Sequence, residues 1–363
     1  MQYKFFLSPA MFTEKEKLIL DIGTMRAYAF TYSTGVAALR VENEKGYFII
    51  LPFQGQQIWR VKFLGRSLTM RTSFDEPVPT LNYLETYGGF MLHCGVCGMG
   101  VPGPKDVHPQ HGELPNAQYR TAWLLAGEDE RGAYIGVSGE IAGKVSFVRN
   151  YLFTPECRLY AGETILRTNV RLQNLRSEPF TYMYLCHINF RPIDGAELMY
   201  STKYDKEHIT VHKIISPNAP KEKAEPLAAY MDAVQENPAL HHKVGAPGQY
   251  YDPEICFTVH YMADKDGMAH TMERLPDGTA FYVSHPVDAL PYAIRWISRT
   301  GDEDSMGMVL PATAEHFGYT YAKEHGQLKV LPPKSEISFG LKIGLLDAGE
   351  AEAVAEKIKK ITK

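Results

Sequence analysis

Two histidines, a glutamate and an amide crowd into the stretch "HPQHGELPN" (108–116), just past the glycine-rich run "CGVCGMGVPGPKD". Three readings fit those residue types. His108, His111 and Glu113 resemble in kind and spacing the H-x-H…E metal set of a cupin. The same side chains, with Asn116, offer the donors and acceptors of a carbohydrate-binding loop. A polar loop with neither role is the third. Pro109 and Gly112 break regular strand pairing, so these side chains are held by a loop, and zinc would need further N or S ligands with support behind them.

A second cluster lies in "LCHINFRP" (185–192). In an extended segment His187 and Asn189 share one face, Ile188 and Phe190 the other. The apolar "FTYMYL" runs directly into it, so partial desolvation is expected to favour a neutral His187 that exchanges a proton near neutral pH. The alternative is a core histidine with its hydrogen bonds satisfied. Arg71, in "LTMRTSFDEP", suits a hydroxyl, carboxylate or phosphate, or else a surface ion pair. Trp296 and Tyr292, in "LPYAIRW", suit stacking on a sugar ring or the core. Cys94 and Cys97 have CxxC spacing with no second pair and no redox context, so they read as small buried thiols. Gly88 and Gly89, in "YGGFMLHCG", allow backbone to approach a ligand or a neighbouring strand. The chain has no G-x-S-x-G, no Walker loop and no strand leading into G-x-G-x-x-G, which argues against serine hydrolase, NTPase and Rossmann chemistry.

The elements that must hold these residues alternate with a period of two. In "LRTNVRLQN", Leu166, Thr168, Val170 and Leu172 fall on one side; in "EISFGLKIGLL", Ile337, Phe339, Leu341, Ile343 and Leu345 do; in "QIWRVKFLG", Trp59, Val61 and Phe63 do. Turn signals such as "NEKG", "GEDERG" and "LPDG" separate such runs without helices long enough for parallel crossovers. The fold class expected is an all-β sandwich of antiparallel sheets with a few short helices. Two helices are expected. One lies within an insertion at about 217–248 that also carries His241 and His242 and reads as a lid or partner surface; the other is C-terminal, at 348–362, covering a sheet end. No repeat or linker composition divides the chain, so residues 1–363 are expected to form one domain.

The totals agree with that picture. A 363-residue chain that is 45% apolar and 22% charged buries a core without help. Net charge is −4 with both signs mixed, which argues against a nucleic-acid surface. The N-terminus "MQYKFFLSPAMFTEKEKLIL" is interrupted by charge well before membrane or signal length, and five cysteines fit a reducing compartment, so a cytoplasmic protein is expected. Aromatics at 12% suit strands first and sugar stacking second.

In this order the segments resemble the aldose 1-epimerase (galactose mutarotase) superfamily, in particular its bacterial branch kept as a domain of unknown function. "GVAALRVENEKGYFIILPFQGQQIWRVKFLGRSL" is similar to the family's opening hairpin, "PQHGELPN" to its "HG" loop and "YLCHINFRP" to its "YHxNFG" segment, while "LPYAIRW" and "VLPATAEHFGY" resemble the last two blocks. Coverage is roughly residues 30–345. The resemblance implies a galactose mutarotase-like supersandwich that interconverts the anomers of an aldose or sugar derivative. An acid protonates the ring oxygen, a base takes the anomeric hydroxyl proton, and the opened sugar recloses on the other face. It implies no cofactor and no metal, a small-molecule sugar as partner, and leaves room for a homodimer. It maps a substrate-binding histidine onto His111 and the general acid onto His187. Both are expected to line one hollow with a ring-sized guest between them, and Arg71, His108, Glu113, Asn116, Asn189 and Trp296 are expected to bind substrate. One position departs: where the family carries its Glu base in a "GLEPxT"-like segment, "MVLPATA" has Leu310, leaving Glu113, Glu315 or His316 to replace it. That departure supports an alternative, a catalytically silent sugar-binding or sensing protein on the same fold. A second alternative, a cupin-type metal-dependent sugar isomerase, rests on His108, His111 and Glu113.

Overall fold

The alternating segments pair into two large antiparallel sheets in the computed structural model, which describes residues 2–363. One sheet has nine strands. At its centre Ile165–Asn174 pairs with Glu336–Leu346, placing Val170 opposite Phe339 and Leu172 opposite Ile337. The expected faces are the buried ones: Leu166, Thr168, Val170 and Leu172 are inside, as are Phe339, Leu341, Ile343 and Leu345. Each such aliphatic side chain withdrawn from water contributes about 1.5–3 kcal/mol.

The larger sheet has 13 strands, and the half that starts at one edge carries the residues of interest. There the strands run Ile209–His212, Ile255–Val259, Tyr292–Arg299, Asp304–Ala312, Phe180–Ile188 and Met91–Val96, each hydrogen-bonded to the next. In Phe180–Ile188, Tyr184 faces the nine-stranded sheet, its ring centroid 5.1 Å from Phe339 and 6.3 Å from Phe153. Leu185 and His187, one residue out of phase, therefore point to the opposite side. The sandwich core lies between the sheets, and the candidate site lies on the outer face of the larger one.

Trp59 departs from the expected alternation. The pairing of Gly46–Ile50 with Ile58–Phe63 slips between Ile49 and Ile50, leaving Trp59 as the extra residue of a bulge. Val61 and Phe63 join the main core, whereas Trp59 packs with Val36, Ala38 and Leu51 in a separate cluster.

The helices Lys221–Glu236 and Ala348–Ile361 form where the sequence reading places them. Asp347 caps the second through a reciprocal pair with Glu350, a device worth about 1 kcal/mol. Ala351, Ala355 and Ile358 pack it on Met272, Ala280 and Tyr282, so it covers a face of the nine-stranded sheet instead of a sheet end. A short helix, Gly318–Glu324, has no counterpart in the sequence reading. Among the described residues no helix is long and apolar enough to cross a membrane.

Candidate functional site

Register brings the site together from distant parts of the chain. His212 lies opposite Cys256, and Cys256 opposite Trp296, giving one row across three strands. The next row runs Thr258, Ile294, Leu310. With Leu185 and His187, all of these except Thr258 floor a cavity of about 360 Å³, within the range of small-molecule sites, roughly 300–1,000 Å³. Its walls come from loops carrying Tyr83, Tyr87, His111, His316 and Phe317, and from the insertion, whose helix supplies Met231. Met231 is buried, so this part of the insertion is a packed wall of the cavity.

His187 is the most tightly specified of the polar groups. Its Nδ1 lies 2.9 Å from Asn189 Oδ1. The Asn189 amide is oriented independently, because its Nδ2 donates to the Gly89 carbonyl at 2.9 Å. Tyr87 also donates its hydroxyl to Oδ1, at 3.2 Å. An amide oxygen only accepts, so His187 Nδ1 must carry the proton. Burial holds the imidazole down to about 4, the hydrogen bond to Asn189 offsetting only part of that shift. At neutral pH His187 is thus an uncharged ring whose Nε2 carries a lone pair and bonds no described residue, the form of a proton acceptor. The role implied by resemblance, general acid, is the opposite of what this tautomer offers.

His111 reaches the cavity through its backbone. It has a φ of 60° and is followed by Gly112 at 80°. A Cβ on Gly112 would sit 2.3 Å from the Gly98 carbonyl oxygen, so glycine is required where the loop crosses the Met91–Val96 strand. The left-handed turn separates the neighbours. His111 faces the candidate cavity, while His108 and Glu113 face a second one of about 930 Å³ on the other side of the loop. The His111 ring is half-buried against Tyr83, with centroids 4.7 Å apart. Burial, with the nearby rings of His187 and His316, takes it well below the usual imidazole range.

The larger cavity consumes its sequence-flagged groups in structural bonds. Glu113 accepts from Tyr151 Oη at 2.7 Å and from the Cys97 amide at 3.3 Å. His108 Nδ1 donates to the Pro109 carbonyl at 2.8 Å, and its Nε2 accepts from the Tyr319 amide at 3.3 Å. His108, His111 and Glu113 therefore do not converge, and the cupin set read from their spacing does not form. Among the described residues no cluster of three or more His, Cys, Asp or Glu is arranged to hold a metal.

Two further substrate-binding candidates lie elsewhere. Asn116 is buried and accepts from Gln57 Nε2 at 2.6 Å while donating to the Asn82 carbonyl at 2.9 Å. It anchors the segment that presents Tyr83 and Tyr87. Arg71 is exposed on another groove beside Arg299 and Asp304, reaching the Thr300 carbonyl at 3.2 Å. Trp296 does line the cavity. Its ring is 5.6 Å from His187 and 5.8 Å from Tyr87, and its indole N–H donates to Glu254. Tyr292 is half-buried outside it. Cys94 is buried and Cys97 half-buried, both as free thiols, and burial beside Glu113 pushes Cys97 up to about 12.

Leu310, the position that departs from the family pattern, lies on the cavity floor. Of the replacements considered for a base, Glu113 faces the other cavity and His316 lines this one, while Glu315 stands behind His212. Sequence reasoning missed His212, Tyr83, Tyr87 and Glu254. His212 carried a faint signal, as the end of the apolar-alternating "ITVH", but its partners lie far away in the chain.

The architecture is shared with solved structures. A Klebsiella pneumoniae protein named as a candidate aldose 1-epimerase has a TM-score of 0.79 at 16% identity, over 100% of this chain and 96% of its own. A galactose mutarotase-like protein from Clostridium acetobutylicum gives 0.57 at 13%, over 88% and 98%. Galactose 1-epimerase from Lactobacillus acidophilus gives 0.53 at 11%, over 88% and 98%. At these identities the likeness establishes a galactose mutarotase-like fold. No curated protein matches the sequence. The family described as Domain of unknown function (DUF4432) matches residues 33–345, and the chain belongs to it.

Proposed function

We propose that the cavity binds a sugar or sugar derivative and interconverts its anomers by acid–base ring opening, an aldose 1-epimerase-type reaction. The observation that carries this reading is the fixed tautomer of His187, an uncharged Nε2 acceptor in a sugar-sized hollow beside Tyr87 and Trp296. In the forward step Nε2 takes the proton of the anomeric hydroxyl, C1–O1 becomes a carbonyl, and the C1–O5 bond breaks with its electron pair going to O5. A second group protonates O5. After rotation about C1–C2 the same transfers run backward on the other face. Aromatic walls suit the apolar face of a pyranose, and burial strengthens each hydrogen bond made to it. The fold's appearance in proteins named for this reaction supports the reading.

A silent sugar-binding protein is the second reading. Leu310 on the cavity floor favours it, as does the cavity's lining carboxylate, Glu254, which is exposed and bonded to the Trp296 indole. Anomeric exchange followed by NMR over a panel of aldoses, uronic acids and sugar phosphates separates the two. The proposal expects at least one sugar to exchange faster with the wild type and not with His187→Ala. Sugars that bind without faster exchange would establish the silent reading in its place.

A further inference from the structure

We infer that His212 is the group that protonates the ring oxygen, held for that task by Thr258 and Glu315 as positioning residues. The inference rests on the reaction proposed above and supplies its missing donor. His212 closes the strand Ile209–His212 and lines the same cavity as His187. Its Nε2 lies 2.7 Å from Thr258 Oγ1, and Thr258 donates its hydroxyl to Glu315 Oε1 at 2.9 Å. A hydroxyl has one proton to give. With that proton on Glu315, the Thr258 oxygen must accept, so His212 Nε2 carries a hydrogen and Nδ1, which bonds no described residue, is the nitrogen that gains and loses a proton.

Burial lowers both imidazoles, and they differ in what stands behind them. His187 is backed by a neutral amide, whose oxygen stabilises a positive ring only in small part. His212 is backed by a carboxylate 3.8 Å from Nε2. That carboxylate stays ionised. Burial alone would push it up, but donors from Gln327 at 2.8 Å, Thr258, and Tyr321 at 3.1 Å take Glu315 below the ordinary carboxylate range. The remaining groups against His212 are the rings of His316, 5.2 Å away, and Phe317, 4.8 Å away. Burial lowers His212 and the Glu315 charge opposes that shift. A carboxylate behind one imidazole and an amide behind the other is the asymmetry that an acid and a base in one site require.

The step balances. His187 Nε2 takes the O1 proton, the C1–O5 pair moves onto O5, and O5 takes the proton from His212 Nδ1. Closure returns the O5 proton to His212 and the His187 proton to O1.

The test uses the full chain and a sugar that the wild type exchanges, comparing His212→Asn, Glu315→Gln and Thr258→Val. His212→Asn is expected to lower kcat by about 10²- to 10⁴-fold with a much smaller change in KM. Glu315→Gln and Thr258→Val are expected to lower it less and to move the high-pH limb of kcat/KM to lower pH, because the imidazolium loses its carboxylate. That limb is a readout a purely structural role would not move, and the conservative Glu315→Gln supplies it even where His212→Asn misfolds. A folded His212→Asn with wild-type kcat, or an unmoved limb in Glu315→Gln, overturns the inference while leaving the proposed reaction standing. A wild type that exchanges no sugar overturns both.

Discussion

The rings of His111 and His187 meet edge to face, their centroids 5.3 Å apart and their planes at 85°. A sugar sandwiched between two rings needs about 3.5–4 Å on each side, so nothing fits between this pair. They form one continuous wall, correcting the expectation of a guest held between them. The proposed reaction then needs its proton donor elsewhere in the cavity, the place inferred above for His212 on the floor.

The loop geometry makes His111 separable from the fold. Left-handed φ costs a histidine on the order of 1 kcal/mol and costs glycine nothing. His111→Gly is expected to unfold at the same denaturant concentration as the wild type or higher, while sugar affinity falls about tenfold. Calorimetric titration alongside urea unfolding checks both; a destabilised variant with unchanged affinity would show that the ring serves packing alone.

Asn189 sets the tautomer, so its replacement should act on rate more than on binding. Asn189→Asp puts a charge beside His187 Nδ1, raises the proton affinity of the ring, and should move the low-pH limb of kcat upward from near 4. Asn189→Leu leaves Nδ1 and the Gly89 carbonyl unpaired, at a cost of about 1–3 kcal/mol for each buried group. Stopped-flow exchange from pH 4 to 8 reads the first effect, and a limb that stays in place would disconnect Asn189 from the chemistry.

Acid should unfold this protein early. Burial holds His93, His242, His285 and His316 at about 3 and His187 at about 4. The unfolded chain takes up these protons near 6.5. Depressed native values mean that the stability is fully present above about 6.5 and is lost as pH falls toward 4, by up to about 1.4 kcal/mol per pH unit for each histidine. Urea midpoints at pH 7, 6 and 5 are expected to fall steeply; equal midpoints would mean that these rings are protonated in the native state.

Leu310 gives a gain-of-function test. Leu310→Glu places a carboxyl group on the cavity floor, where burial raises its pKa and lets it share proton transfer. A folded variant is expected to change the exchange rate by tenfold or more, and Leu310→Met to leave it within about twofold. Identical rates in all three proteins would place the sugar away from this floor.

Sequence made the sandwich legible because buried faces impose a period of two, as Val170 opposite Phe339 illustrates. It missed the bulge at Trp59, since a one-residue slip in pairing leaves no local signature. His187 and Asn189 were readable as a pair because they are two residues apart in one extended segment, across the end of the strand Phe180–Ile188. The "HG" loop misled in the other direction: adjacency in sequence suggested that His108, His111 and Glu113 act together, and the left-handed pair His111–Gly112 turns them to opposite sides. His212 was hidden because its meaning comes from Thr258 and Glu315, brought to it by sheet register and the return of the chain.

The central claim is that His187 presents an unprotonated Nε2 to a bound sugar. Long-range ¹H–¹⁵N correlation on histidine-labelled protein at pH 7, with and without an exchanging sugar, measures it directly. The account predicts a protonated Nδ1, an unprotonated Nε2, and an Nε2 resonance that shifts on sugar addition but not in the presence of a non-binding polyol. A ring protonated at Nε2, or one that ignores every sugar that binds, would contradict it.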